Sequence, residues 1–290
     1  MNADDIGKKA ALLSIVEIGL GSFLHAFSIP FAGHFLSLNQ GFILTRAAME
    51  SGDKKAPGII SAVAALLKSL SPAGKKLTPM LAIGMQGQLY NVGLLLLGNN
   101  GFGRILGMSL LCLWGFVQPL ALYFILYGKT LVEMAEYYAT ELSKVFQATP
   151  DDFLSILISL VIFKLICGAV VVIIAQILKK NKVDQYETWL ISKHKPQEPK
   201  TEGSAWILAL KDLFSPVFIV TWLLMLLFYL YSQHDRADLI WILLRPVALG
   251  YLIFLMLRIF PVEKMIPWVT KRYPFLGRAL ESALKQIRGI

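Results

Sequence analysis

Charged residues are scarce in this sequence. Only 16% of its 290 residues are Asp, Glu, Lys or Arg, and 56% are hydrophobic. A soluble globular chain has about 25% charged and roughly 45–50% apolar residues. The chain is therefore too apolar to form one folded core in water, and it has too little charge and too much apolar surface to be disordered. Both classes are excluded, and an integral membrane protein is predicted.

Cysteines and catalytic motifs are also scarce. The two cysteines, Cys112 and Cys167, lie inside apolar runs, where thiols usually act as small buried hydrophobic groups. Neither a disulfide framework nor a metal site is expected from them. The sequence has no GxSxG, HExxH or Walker motif, and no paired-acid motif of a membrane phosphotransferase. We therefore expect neither an enzyme nor any catalytic residue, cofactor or bound metal.

Long apolar runs, in contrast, recur along the chain. A helix needs about 20 apolar residues to cross a bilayer. Apolar runs, some of them short, occupy residues 10–29, 31–48, 58–70, 78–97, 105–127, 153–178, 213–231 and 239–257. We predict an all-α integral membrane protein with about eight transmembrane helices.

The hydrophilic stretches between these runs divide the chain into four parts. Residues 1–178 are expected to form a six-helix membrane bundle, with an amphipathic surface helix over residues 129–148. Residues 179–205 are expected to be a linker, and residues 206–260 a transmembrane hairpin. Residues 261–290 then form a basic amphipathic tail.

The distribution of Lys and Arg predicts the orientation in the membrane. Positive residues concentrate in the linker and the tail, and such segments remain on the cytoplasmic side. We expect both termini to be cytoplasmic and the protein to lie in a plasma membrane, such as the bacterial inner membrane. The net charge of +9 therefore indicates contact with the lipid bilayer. It does not indicate nucleic-acid binding, because no basic stripe is interleaved with exposed aromatic residues.

One loop departs from this charge rule. The span count places Lys75 and Lys76 on the outer side, where positive residues are disfavoured. Either the spans are counted wrongly at this point, or the two ammonium groups form an entrance that attracts anions. Both interpretations remain open from the sequence.

Polar residues inside the fourth apolar run form two helical faces. One face carries Gly84, Gly87, Gln88 and Asn91, at positions i, i+3, i+4 and i+7. A second face carries Gln86, Tyr90 and Gly93. Such amides either hydrogen-bond to neighbouring helices or line a ligand pocket. Finding Gln88 and Asn91 fully paired with protein atoms, with no cavity beside them, would overturn the prediction of solute uptake.

Other polar residues at membrane depth extend the set of candidates. His34, Asn39 and Gln40 follow the helix break at Pro30, and Gln118 lies in the fifth run. Lys164 is a single charge inside the sixth run and needs a partner there. In the first run, Glu17, Gly21 and His25 share one face, which predicts either a proton relay or a polar contact between helices.

The region from Phe31 to Gly128 resembles the substrate-binding (S) subunits of energy-coupling-factor (ECF) vitamin transporters. The resemblance is carried by residues 31–41 (FAGHFLSLNQG), Pro57-Gly58, residues 84–91 (GMQGQLYN) and residues 98–101 (GNNG). It implies a six-span bundle with a solute pocket that opens outward. It also implies that the segment 30–34, the polar faces of spans four and five, and Lys75 and Lys76 border the solute. The hairpin and the basic tail are additional to that subunit.

These observations predict a membrane transport subunit. We expect it to bind a small polar solute from the outer side and to release it inward together with ATP-hydrolysing partner subunits. Gln88, Tyr90 and Asn91 would bind the solute, with His34, Asn39 and Gln40 lining the entry. The alternative is a non-catalytic scaffold subunit of a larger membrane complex, in which the same polar faces only join helices.

Overall fold

The computed structural model describes residues 2–26, 32–68, 77–146, 149–193, 204–214, 216–231, 239–259 and 262–288. All regular secondary structure within these ranges is α-helical, so the all-α prediction is confirmed for them. The helices are α1 (Ala3–Ala26), α2 (Ala32–Ser51), α3 (Ala56–Lys68), α4 (Leu77–Leu97), α5 (Gly101–Tyr127), α6 (Thr130–Phe146), α7 (Pro150–Ile177), α8 (Lys180–Lys193), α9 (Ala205–Leu213), α10 (Pro216–Tyr231), α11 (Leu239–Ile259), α12 (Val262–Arg272) and α13 (Pro274–Arg288).

Three stretches of helix in the described residues are long and apolar enough to cross a membrane. They are Thr78–Leu97 in α4, Gly101–Tyr127 in α5 and Leu154–Ile177 in α7. Shorter apolar helical stretches cover Ala56–Lys68, Phe218–Tyr231 and Leu243–Met256. Large apolar side chains are exposed along α7, for example Phe163 and Ile177. Lipid chains accept such a surface and water does not, so the chain is a membrane-embedded protein.

The N-terminus of α7 is closed by a capping box. The backbone N–H and the hydroxyl of Thr149 both donate to Asp152 Oδ2, at 2.7 and 2.8 Å, and Pro150 is the first helical residue. Proline fits this position because it has no N–H to leave unpaired. The hydrogen bonds from Thr149 hold the pKa of the Asp152 carboxyl below its usual range. This local chemistry starts the helix immediately before its apolar part.

Two predicted segments differ from the structure in their helical content. The predicted linker 179–205 is helical over Lys180–Lys193, and residues 194–203 lie outside the described residues. The apolar run 213–231 is not one helix, because α9 ends at Leu213 and α10 begins at Pro216. Proline cannot donate the backbone hydrogen bond that would continue α9, so the run breaks there.

The chain divides into two structural units. Unit 1 comprises residues 1–116, 162–200 and 261–290, and unit 2 comprises residues 117–161 and 201–260. The core of unit 1 is apolar and includes Leu13, Leu44, Ile60 and Leu111.

The C-terminal helix belongs to the core of unit 1. The apolar face of α13 is buried, including Ala279, Leu280 and Ala283, and α13 packs against α1 and α3. The approach to α1 is close at Gly7, where an added methyl group would lie 2.8 Å from the Ala279 carbonyl oxygen. The amphipathic pattern of the tail therefore reflects burial against the first helix of the chain.

The adjacent helices α4 and α5 meet at a pair of glycines in unit 1. A methyl group placed on Gly107 would lie 2.6 Å from the Tyr90 carbonyl oxygen, and one placed on Gly93 would overlap the backbone of Gly107. Small residues of this kind allow two membrane helices to pack at backbone distance.

Unit 2 has a second, aromatic core. Tyr127, Met134, Met225, Phe228 and Tyr229 are buried together there. Two hydrogen bonds to backbone carbonyls fix its helices: Tyr138 donates to Leu224, and Trp222 Nε1 donates to Leu243 at 3.0 Å.

Candidate functional site

The two amides predicted to bind a solute, Gln88 and Asn91, hydrogen-bond to the start of α3. Asn91 Oδ1 accepts from the Gly58 N–H at 3.1 Å, and Asn91 Nδ2 donates to the Lys55 carbonyl at 3.4 Å. Gln88 Nε2 donates to the Gly58 carbonyl at 3.2 Å. A side chain on Gly58 would collide with both amides. These amides join α4 to α3.

Tyr90 and Gln40 also join helices of unit 1. The Tyr90 hydroxyl lies 2.8 Å from Thr45 Oγ1, which links α4 to α2. Gln40 Nε2 donates to Ser61 Oγ at 3.1 Å and to the Ile83 carbonyl at 2.9 Å. Gln40 Oε1 is buried and has no hydrogen-bond partner in the described part of the chain.

Glu17 has a charged neighbour that the sequence did not identify. Lys68, at the end of α3, is buried and donates a hydrogen bond to the Glu17 carbonyl oxygen. A methyl group on Gly21 would lie 3.6 Å from Glu17 Oε2 and 3.7 Å from Lys68 Nζ, so both charges face this glycine. The polar face of α1 is therefore matched by a cation on α3. The side chain of His25, the third residue of that face, lies outside the described ones.

Lys164 is the most unusual charged residue of the structure. Its side chain is buried within the membrane-crossing part of α7, with 6% of the residue exposed. Within the described ranges, its ammonium group has no hydrogen-bond partner. The ring of Phe116 lies 5.4 Å from Nζ, so a cation–π contact is its main favourable interaction there.

His34 lies beside this ammonium group. A methyl group on Gly115 would be 2.7 Å from Lys164 Nζ and 3.6 Å from His34 Nδ1, so both side chains meet at this glycine of α5. The His34 and Phe116 rings are 4.9 Å apart and inclined by 51°. Helices α2, α5 and α7 thus bring together an imidazole, an aromatic ring and a cation, which we call the Lys164 site.

The other residues predicted to bind a solute are not part of the Lys164 site, and some of them lie outside the described residues. Asn39 Nδ2 is buried without a hydrogen-bond partner among the described residues, as is Trp114 Nε1. Gln118 is buried in the unit 2 part of α5 and does have an interaction partner. Lys75 and Lys76 lie outside the described residues, so their role as an anion entrance stays a prediction.

A second charged cluster connects α1, α2 and α8. Lys9 Nζ lies 3.0 Å from Glu50 and 2.6 Å from Glu187, and Arg46 lies 3.2 Å from Glu50. Arg46 also donates to the carbonyls of Ala175 and Leu178 at the end of α7. Two cations and two anions compensate each other here, so this cluster, which sequence reasoning missed, is structural. Arg46 and Glu50 form an i,i+4 pair on α2 that the sequence could have indicated, whereas Lys9 and Glu187 lie far from them along the chain and no local pattern indicates their contribution.

The described residues contain no group of three or more His, Cys, Asp or Glu side chains that could hold a metal ion. Comparisons with protein-family models, curated proteins and solved structures found no match for this chain.

Proposed function

We propose that this protein is a membrane transport subunit that binds a small anionic solute at the Lys164 site. In this proposal the chain has about eight membrane-crossing helices, with both termini cytoplasmic. Energy comes from ATP-hydrolysing partner subunits, because the sequence has no nucleotide-binding motif of its own. The organisation that we propose resembles an S subunit of ECF transporters, extended by a hairpin and a tail.

The buried ammonium group of Lys164 carries the proposal. Placing a charge at the centre of a membrane helix costs roughly 2.5–3.5 kcal/mol on insertion scales. A cation–π contact with one ring returns about 0.5–2 kcal/mol, which does not offset that cost. An anionic group of a bound solute would complete the compensation. The absence of a side chain at Gly115 is what lets Lys164 and His34 approach the backbone of α5. The geometry therefore favours a carboxylate or phosphate ligand.

A comparison of Lys164 variants tests this function. The full chain, purified in detergent, would be examined by native mass spectrometry, with identification of the small molecules that it releases. We expect an anionic metabolite to co-purify with the wild type and with Lys164→Arg, and to be absent from Lys164→Met. Lys211→Met, which removes an exposed Lys from α9, is the control and should retain the metabolite.

A stability measurement separates binding from packing. Replacing a buried unpaired charge by an apolar side chain of similar length is often neutral or stabilising. Lys164→Met should therefore unfold at the same temperature as the wild type or higher. If no metabolite is found in any variant, or if Lys164→Met strongly lowers the unfolding temperature, the proposal is wrong.

The scaffold alternative is favoured by a different observation. Gln88, Asn91 and Gln40 all hydrogen-bond to protein atoms, which is what residues that only join helices would do. Under this alternative, the same mass spectra would contain a bound protein subunit and no small molecule.

A further inference from the structure

A small apolar pocket lies where the end of α7 meets α8. Its volume is about 250 Å³, and it is lined by Phe42, Leu178, Lys182, Val183 and Tyr186. The volume is below the roughly 300–1,000 Å³ of most small-molecule sites. The lining is almost entirely apolar apart from the Lys and Tyr side chains. The pocket therefore suits a segment of hydrocarbon chain better than a polar solute.

The mouth of the pocket is positively charged. Lys179, Lys180 and Lys182 are exposed, and none of them forms an ion pair with any described residue. Glu187, on the same helix, is already paired with Lys9. Asp184 is a second acid on α8, is exposed and forms no ion pair with a described residue, so three lysines stand against one free carboxylate at the start of α8. This excess of positive charge complements an anionic group.

The position of the pocket relative to the membrane also indicates lipid. Ile173, Ile174 and Ile177 are exposed on the last turns of α7, directly before the pocket. On α8 the exposed rings of Tyr186 and Trp189 stack with centroids 6.3 Å apart. Tyr and Trp are enriched at the level of lipid headgroups, where one part of the ring meets hydrocarbon and another meets water. These residues are the ones expected where acyl chains meet headgroups, which favours a lipid as the occupant of the pocket.

We propose that this pocket is a binding site for one anionic phospholipid. The phosphate of the headgroup contacts Lys182, and one acyl chain enters between Phe42, Leu178 and Val183. This lipid is separate from the solute at the Lys164 site, and the proposal does not depend on the transport function.

The test compares two lysines of the same helix. Lys182 lines the pocket, whereas Lys180 contributes the same charge without lining it. The full-length protein would be delipidated in detergent and titrated with dioleoyl-phosphatidylglycerol or dioleoyl-phosphatidylcholine, and the bound lipids would be counted by native mass spectrometry. We expect the wild type to bind one phosphatidylglycerol more tightly than phosphatidylcholine.

Lys182→Gln should weaken phosphatidylglycerol binding about fivefold, which corresponds to the ~1 kcal/mol that one Lys contributes near an anionic lipid. Phosphatidylcholine binding should change little in this variant. Lys180→Gln should have a clearly smaller effect. Equal affinity of the wild type for both lipids, or equal losses in the two variants, would overturn the proposal, because the attraction would then be diffuse. Lys182 is exposed, so its replacement should not affect folding.

Discussion

Asn91 Oδ1 accepts a hydrogen bond of 3.1 Å from the backbone N–H of Gly58 and so attaches α4 to the first turn of α3. The first N–H groups of any helix have no partner within that helix. Asn91 supplies one for α3 from a different helix, in the way that an N-cap side chain does within one chain segment. The amide that looked most available for a ligand is thus engaged in holding two helices together.

We predict that Asn91→Leu lowers the stability and the membrane abundance of the protein. The substitution leaves the buried Gly58 N–H without a partner, which costs about 1–3 kcal/mol. Gln88→Leu should have a smaller effect, because Gln88 is more exposed and its Gly58 carbonyl partner retains another lone pair. Thermal unfolding in detergent and quantitative blotting of membranes would measure both. If Asn91→Leu had normal abundance but no longer bound solute, Asn91 would instead be a ligand-binding residue.

We predict that Gly107→Ala destabilises unit 1. Its methyl group would lie 2.6 Å from the Tyr90 carbonyl, so α4 and α5 would have to separate, at a cost of roughly 1–3 kcal/mol. Gly33→Ala is a matched control, because its added methyl group would lie more than 4 Å from every described atom outside its own stretch of helix and alanine favours helix there. The unfolding temperature should fall for the first variant and stay or rise for the second. Equal behaviour of the two would contradict close packing at Gly107.

The effects of replacing Glu17 and Lys68 on the free energy of unfolding should not be additive. Glu17→Gln removes the carboxylate near the buried Lys68 ammonium but keeps the backbone carbonyl that accepts its hydrogen bond, so we expect the two sites to be coupled by about 0.5–3 kcal/mol. The double variant Glu17→Gln/Lys68→Met removes both charges and should be more stable than the sum of the single effects indicates. A double-mutant cycle based on unfolding free energies checks this. Simple additivity would show that the two charges do not interact.

The capping box of α7 predicts that the stability of the folded protein depends on pH. Hydrogen bonds from Thr149 lower the pKa of Asp152, so the folded protein binds this proton less readily than the unfolded chain. The stabilising effect is complete above the unfolded pKa of Asp152 and is lost as the pH falls through the folded one. Thr149→Ala should raise the pKa of Asp152, which carbon-13 NMR of labelled aspartate would detect. An unchanged pKa would mean that the hydroxyl does not contribute.

The sequence indicates which polar residues share a helical face, but it does not indicate which residues they contact. The spacing of Gln88 and Asn91 placed them on one helical face, but their partner lies on α3, more than thirty positions away for Asn91. Lys164 was recognisable as a charge that needs a neighbour. That its neighbours are the Phe116 ring and His34 depends on how three separate helices pack. Helical periodicity extends only along one helix and carries no information about which other helix faces it.

The amino-acid sequence alone determined the class of the molecule: helical and embedded in a membrane. These properties follow from composition and from the length of apolar runs, which act locally along the chain. The tertiary structure decided which polar groups are joined to one another and which are left with unused bonding capacity. It also turned the amphipathic tail into a core helix against α1. The reason is physical: a hydrogen bond or an ion pair needs two groups within a few ångströms, and only the folded chain brings distant residues that close.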